Sequence, residues 1–301
     1  VTTVAGESRV AYALANGMRL CYETFGDPSH PPLVLVMGLA TQMIVWDEEF
    51  CTLLAARGFH VVRFDNRDIG LSTKLLHART PSLPELMLAQ ATGLRFRPPY
   101  TLRDMAADTV GLLDALGIAS AHLVGASMGG MIAQEIAIAF PARVRTLTSI
   151  MSTTGDRKLP RARPRALAAL ARRIPRDRDG YIRAYVDTWH VLAGDHFPFD
   201  AAYWARQGTA SYERGINPAG AARQLLAIVA SGSRKEALRR LAVPALVIHG
   251  TDDPLIPVEG GLDTARTIPG AKQMLIEGMG HSFPREVWPR IIDAIAQHAS
   301  A

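Results

Sequence analysis

The sequence predicts an α/β chain: a parallel sheet wrapped by helices, with a helical insertion between its strands. Three observations predict it. The short, wholly apolar run Leu33–Met37 has the composition of a strand buried on both faces, and Ala121–Val124 reads as another buried strand. Segments of helical spacing alternate with these runs through the first half of the chain and again at its end. Between about Ser152 and Arg240 that rhythm stops, and the pattern is helical and rich in Arg and Ala.

In chain order, the turn pair Asn16-Gly17 precedes Met18–Phe25, which reads as the second strand of a hairpin. Leu33–Met37 is the next strand, Asp47–Arg57 a helix stopped by Gly58, and His60–Phe64 another strand. After Pro98-Pro99 the capping signature Thr101-Leu-Arg-Asp104 opens a helix. Leu102, Met105, Leu112, Leu113 and Leu116 place apolar groups on one side of it, and Gly117 is its C-terminal stop. The strand Ala121–Val124, the helix Met128–Phe140 and the strand Val144–Ile150 follow. The rhythm resumes after the insertion with the strand Val243–His249, a helix from about Glu259 to Thr267, the strand Lys272–Ile276 and a terminal helix Val287–His298. The expected division is a core of residues 1–151 and 241–301 with a helical insertion over 152–240.

The chain is 48% hydrophobic and 20% charged, as expected of a soluble globular protein long enough to bury a large core. It has no apolar run near the roughly 20 residues that cross a bilayer, so no integral membrane segment is expected. Residues 1–10 lack the layout of a secretory signal, and the expectation is a cytoplasmic protein. Cys21 and Cys51 fit neither a metal spacing nor a disulfide framework and read as buried thiols. Charge is uneven: residues 151–240 hold 17 Lys+Arg against 8 Asp+Glu, a net +9 in a chain of net +5. The basic run Arg157–Arg178 reads as a solvated helical face, with nucleic acid, anionic lipid or an acidic substrate as functional alternatives. Nucleic acid is the weakest of these, because no aromatic residue in the run could stack on a base. Further along, Tyr181, Tyr185, Trp189, Phe197, Phe199, Tyr203 and Trp204 supply either a core for the insertion or a wall for a bulky apolar group. The residues set no oligomeric state.

The chemistry concentrates at Gly125-Ala-Ser127-Met-Gly129. This G-x-S-x-G follows an apolar strand and opens a helix, the context of a nucleophile elbow. The turn is so tight that its flanking residues must be small, and it lifts the Ser127 hydroxyl above the sheet at a helix N-terminus. A serine hydroxyl needs a base. Among nine histidines His281 stands out, in the glycine-rich loop Gly278-Met-Gly280-His281 after a strand. His60 and His122 begin strands, His30 is in a Pro-rich loop and His298 is in the terminal helix. His249 ends a strand on the correct side, but the acid motif follows it directly. That motif, Gly250-Thr-Asp252-Asp253-Pro254, puts a carboxylate in a loop at a strand's C-terminal end. Asp253 is favoured as the acid, with Asp252 as a turn or capping residue. Gly38 lets backbone approach after Leu33–Met37, making the Leu39 N–H the candidate second oxyanion donor beside the Met128 N–H. No H-E-x-x-H, clustered Cys/His set or N-terminal G-x-G-x-x-G is present, so neither metal nor cofactor is expected.

These segments resemble the α/β-hydrolase superfamily over nearly the whole chain. Val36-Met-Gly-Leu39 with Trp46, Arg63-Phe-Asp-Asn-Arg-Asp-Ile-Gly-Leu-Ser72, the elbow and Gly278-Met-Gly-His281 resemble more narrowly the group of aclacinomycin methylesterases and mycobacterial LipG-type esterases. The resemblance implies a mostly parallel eight-stranded α/β-hydrolase sheet flanked by helices, with residues 152–240 as an inserted helical cap. It also implies cofactor-free hydrolysis of a small-molecule carboxylic ester, with Ser127, Asp253 and His281 on the triad and Leu39 and Met128 on the oxyanion hole. Met37 replaces the histidine, and Asp68 the glycine, that many superfamily members carry at these positions; both departures are shared with the methylesterase-like group. Asp65, Arg67 and Asp68 read as structural residues holding the loop beside the oxyanion hole.

A serine nucleophile excludes epoxide hydrolase and haloalkane dehalogenase chemistry, since the ether it would form resists water. Carbon–carbon hydrolysis, perhydrolase or haloperoxidase-like activity, and a non-catalytic ligand-binding role on the same scaffold stay as competing classes.

Overall fold

A computed structural model describes residues 10–80 and 98–300. The hairpin turns at Asn16-Gly17, both at positive φ, between β1 (Ala11–Ala15) and β2 (Met18–Phe25). β3 (Pro32–Val36), helix α1 (Glu48–Ala55), β4 (His60–Phe64) and helix α2 (Leu102–Ala115) follow. β5 (Ala121–Ala126), helix α3 (Met128–Ala139) and β6 (Val144–Ile150) complete the first block. The strands form one eight-stranded sheet in the order β1-β2-β4-β3-β5-β6-β7-β8, where β7 is Ala245–Gly250 and β8 is Lys272–Ile276. β2 is antiparallel to both β1 and β4, and the other pairings are parallel.

Alternation along β3 explains why its sequence is apolar throughout. In β3, Leu33 and Leu35 face one apolar layer with Phe50, Leu54 and Ile291, whereas Val34 and Val36 face the other with Leu112, Leu123 and Ile132. A strand covered on both faces has no solvent side on which to place polar residues. The cap of α2 forms as its residues predict: the Thr101 N–H donates to Asp104 Oδ2 at 2.7 Å, and the Asp104 N–H donates back to Thr101 Oγ1. β3 ends one residue before its apolar run does, because Met37 already leaves the ladder toward the Gly38 loop. β7 starts two residues later than the run Val243–His249, beyond Pro244, which has no N–H for a ladder.

Between β6 and β7 lie five helices: α4 (Pro164–Ala171), α5 (Arg178–Ala193), α6 (Ala201–Glu213), α7 (Pro218–Ser231) and α8 (Lys235–Leu238). Helices α9 (Val258–Thr267) and α10 (Trp288–Ala299) close the chain. The aromatic residues of the insertion build both its own core and its seam with the sheet. Trp189 stacks on Trp204 at 4.1 Å, and Trp204 joins the apolar layer that holds Trp46, Phe50 and Trp288. The arginines of the run 157–178 are exposed. Both cysteines are buried free thiols, and burial pushes Cys21 up to about 11 and Cys51 to about 12. Among the described residues no helix is long and apolar enough to cross a membrane.

Candidate active site

Ser127 is the single residue between the end of β5 and the start of α3, and its backbone is held at φ 55°, ψ −120°. A non-glycine residue in this region is strained, so the surroundings must enforce it. They do: the Ser127 N–H donates to Ile150 O (2.9 Å), and the Ser127 carbonyl accepts from the Gly130 N–H (3.0 Å) and Ser152 Oγ (2.8 Å). The flanking glycines are required by contact. A Cβ on Gly125 would sit 2.2 Å from Gly129 O, and one on Gly129 would sit 2.0 Å from Val36 O.

His281 arrives from the loop after β8. Its Nε2 lies 2.9 Å from Ser127 Oγ and its Nδ1 lies 2.7 Å from Asp253 Oδ2. The carboxylate can only accept at neutral pH, so Nδ1 carries a proton and Nε2 faces the serine hydroxyl as an acceptor. The loop is pressed against the insertion: the His281 N–H donates to Leu192 O of α5 at 2.7 Å, and a Cβ on Gly280 would meet Ala193 O at 2.2 Å.

Asp253, 3% exposed, leaves the end of β7 and is gripped from several sides. Its Oδ1 accepts from the N–H groups of Leu255 and Ile256, both at 2.8 Å. Burial alone would raise its carboxyl. The facing His281, which donates to it at 2.7 Å, and the neighbouring His249 outweigh that and hold it well below the usual carboxylate range. The Asp252 side chain is exposed and, among the described residues, accepts only from Thr251 Oγ1, at 3.1 Å. The structure therefore brings Ser127, His281 and Asp253 together and leaves Asp252 outside.

Reading residues one by one missed His249 as a neighbour of the acid. Its Nε2 donates to Ile256 O at 2.8 Å and lies 3.5 Å from Asp253 Oδ2, while among the described residues its buried Nδ1 has no partner. Its place four residues before Asp253, at the end of β7, was visible, but a strand end does not reveal which way a ring turns.

The loop after β3 lies across the elbow, with a Cβ on Gly38 only 3.2 Å from Ser127 Cβ. Among the described residues no protein acceptor takes the N–H of Leu39 or of Met128. The loop is held by residues far away in the chain. The Ala40 N–H donates to Gln224 Oε1 on α7 (2.9 Å), Gln224 Nε2 donates to Arg67 O (3.0 Å), and Asn66 Nδ2 donates to Met37 O (2.9 Å). Asp65 accepts from the Met43 and Leu71 N–H groups and from Arg214. Arg67 pairs with Asp108.

Asp68 explains its own departure from glycine. It sits at φ +71°, a left-handed conformation in which glycine is the ordinary choice. Here a bidentate bond from Arg223 (2.8 and 2.6 Å), the Tyr100 hydroxyl (2.8 Å) and the Leu75 N–H (2.8 Å) hold the aspartate in place. Burial would raise this carboxyl, but the Arg223 bond and the other donors outweigh it and lower it.

A G-x-S-x-G elbow on β5 of this sheet, with His281 after β8 in hydrogen-bond reach of Ser127 and Asp253 after β7 in reach of His281, defines a class. The chain belongs to the alpha/beta hydrolase fold family, which its residues 31–284 match. Within that class it is 28% identical over 299 residues to rhodomycin D methylesterase DnrP of Streptomyces peucetius, covering 93% of this chain and 94% of the relative. Rhodomycin D methylesterase DauP of Streptomyces sp. (strain C5) is also 28% identical, over 314 residues and with the same shares, 93% and 94%. Among solved structures, the meta-cleavage product hydrolase of Pseudomonas fluorescens IP01 superposes with a TM-score of 0.75 at 19% identity, covering 96% of this chain and 97% of its own, a likeness of fold.

Proposed function

We propose that this chain is a carboxylic-ester hydrolase working through an acyl-enzyme on Ser127. The observation that carries the reading is the unbroken line of hydrogen bonds from Ser127 Oγ through the His281 ring to Asp253, at 2.9 and 2.7 Å. In this reading Nε2 takes the serine proton as Oγ attacks the ester carbonyl, and Asp253 stabilises the imidazolium without itself taking the proton. The tetrahedral oxyanion meets the N–H groups of Leu39 and Met128, both without a protein acceptor among the described residues. Collapse breaks the ester C–O bond, and the leaving alcohol takes the proton from His281. Water then repeats the sequence on the acyl group and returns Ser127.

Residues 152–240 serve in this reading as a cap: α5 rests on the His281 loop and α7 on the oxyanion loop. The apolar seam between insertion and sheet supports small to medium apolar esters as substrates, and the names of the two Streptomyces relatives support a methyl ester among them.

The test is a panel of p-nitrophenyl esters of increasing acyl length, with aromatic methyl esters alongside. Ester turnover is expected, with phenylmethylsulfonyl fluoride modifying Ser127 alone. Ser127→Ala is expected to stay folded and lose several orders of magnitude in kcat. An adduct mapped elsewhere, or a mutant of near-normal rate, would remove Ser127 as nucleophile. Carbon–carbon cleavage or perhydrolysis in place of ester turnover would change the reaction class, and tight binding with no turnover would point to a binding role.

A further inference from the structure

Helix α4 departs from the pattern of a surface helix. At about 100° per residue its buried side carries Ala166 and Ala169. The opposite side carries Pro164, Leu167, Ala168 and Ala171, all exposed, with Leu170 at its margin. Leu167 is 50% and Leu170 42% exposed. The one charged residue of the helix, Arg165, lies on a flank, so the solvent-facing side has no polar side chain. A helix laid on a protein surface ordinarily shows water its polar face.

The surroundings of this face are strongly basic. Residues 157–178 contain nine Lys+Arg and a single acidic residue, Asp177, and all nine basic side chains are exposed. Arg172 approaches Asp187 at 3.7 Å, and Arg178 approaches Asp179 at 3.6 Å and Glu213 at 3.8 Å. Among the described residues Arg161, Arg163, Arg165, Arg173 and Arg176 make no ion pair. Such a charge excess is not consumed inside the protein.

We propose that the outer face of α4 and its arginine rim dock this protein on an anionic lipid bilayer. Leu167 and Leu170 enter the boundary between headgroups and acyl chains while the guanidinium groups pair with lipid phosphates. An amphipathic helix with apolar residues outward and basic residues around them is the chemistry an anionic interface binds. Nucleic acid does not fit, since the run offers leucines and no stacking ring. A second copy does not fit either, because a two-fold contact would set each arginine rim against its own image.

The placement adds a consequence. The Arg163 N–H, just before α4, donates to Pro254 O at 2.7 Å, beside Asp253, and α5 on the other side of the same hairpin accepts from the His281 N–H. The start of α4 is therefore next to the loop that carries Asp253, and in this docking the bilayer sits near that end of the sheet. The docking stands whether or not Ser127 hydrolyses esters, and its test does not use that activity to detect binding.

The experiment is vesicle flotation of the full chain with phosphatidylcholine alone and with phosphatidylcholine mixed with phosphatidylglycerol. Binding to the anionic vesicles is expected, weakening as salt is raised. Arg163→Glu with Arg165→Glu should lower the partition coefficient by more than about fivefold per residue, since reversal both removes an attraction and adds a repulsion. Leu167→Asp with Leu170→Asp should lower it by about tenfold or more while the circular dichroism spectrum and the hydrolysis of a water-soluble ester stay unchanged. Three results would overturn the proposal: no binding to anionic vesicles at low salt, binding that both variant pairs leave intact, or a sedimenting dimer that the leucine variant dissolves.

Discussion

At the scale of single residues, the acid loop offers the sharpest discrimination, because two neighbouring carboxylates differ only in where they point. Asp253 meets His281 at 2.7 Å, whereas the exposed Asp252 carboxylate, among the described residues, accepts only from Thr251 Oγ1. Asp253→Asn keeps the volume and loses the acceptor that fixes the imidazole tautomer, and we expect a fall of about 10³–10⁴ in kcat near neutral pH. Asp252→Asn is expected to cost far less; steady-state kinetics on the two purified variants measure the order directly. The pH dependence follows in sign. A carboxyl held below its unfolded value, about 3.9, stabilises the fold fully above that value, and the contribution is lost as pH falls through the folded one. Urea midpoints should therefore show an Asp253-dependent loss only in acid, absent from Asp253→Asn. The glycine spacing of Gly250-Thr-Asp-Asp made Asp253 legible in advance; the second histidine on it, His249, was not, because ring orientation depends on Ile256 and Gly261 around it.

At the scale of elements, α7 is the part whose work is hidden in its sequence. It carries Arg223 onto Asp68 and Gln224 onto Ala40, side chains that read as ordinary polar positions of an Arg- and Ala-rich helix. Arg223→Met would leave Asp68, 0% exposed, without its charge partner, and we expect a loss of about 3–5 kcal/mol in urea denaturation. Combining it with Asp68→Gly should recover much of that loss, because glycine accepts φ +71° and needs no arginine. A double variant no more stable than Arg223→Met would show that the pair is not what holds this loop. Gln224→Met removes the acceptor of the Ala40 N–H and frees the Leu39–Ala40 peptide to turn. Its kcat should fall by about tenfold or more with little change in KM, and the affinity for a trifluoromethyl ketone should fall in parallel. Gln224→Glu keeps an acceptor there and should restore part of the rate; equal loss in both variants would assign Gln224 to packing alone.

At the scale of the whole molecule, the sheet separates scaffold from chemistry. Its central strands β3, β5 and β7 are covered on both faces, and the loops at the C-terminal ends of β3, β5, β7 and β8 supply the candidate site, as the edge of a parallel sheet does. The insertion between β6 and β7 contacts these loops, among other places, through Gln224 to Ala40, Arg163 to Pro254 and Leu192 to His281. Among the described residues no cluster of three or more His, Cys, Asp or Glu side chains is arranged to hold a metal. Ester turnover should survive exhaustive EDTA treatment with no added metal or nucleotide. A loss restored by one divalent ion would mean that the hydroxyl of Ser127 is not the whole of the nucleophilic machinery.

The sequence by itself determined the alternation of strands and helices, the elbow at Ser127, and the spacing that carries Asp253 and His281 to loops at strand ends. These are local properties: hydrophobic period, glycine at tight turns and capping act within a few residues, so the chain states them where they occur. Only the tertiary structure decided which buried charges pair and what holds the loop after β3. Arg214 reaches Asp65 across 149 residues, Arg223 reaches Asp68 across 155, and Gln224 reaches Ala40 across 184. An arginine or glutamine in a helix carries no mark of its mate; the partner is chosen by which surfaces the folded sheet and insertion press together, and by the cost of leaving either group buried alone.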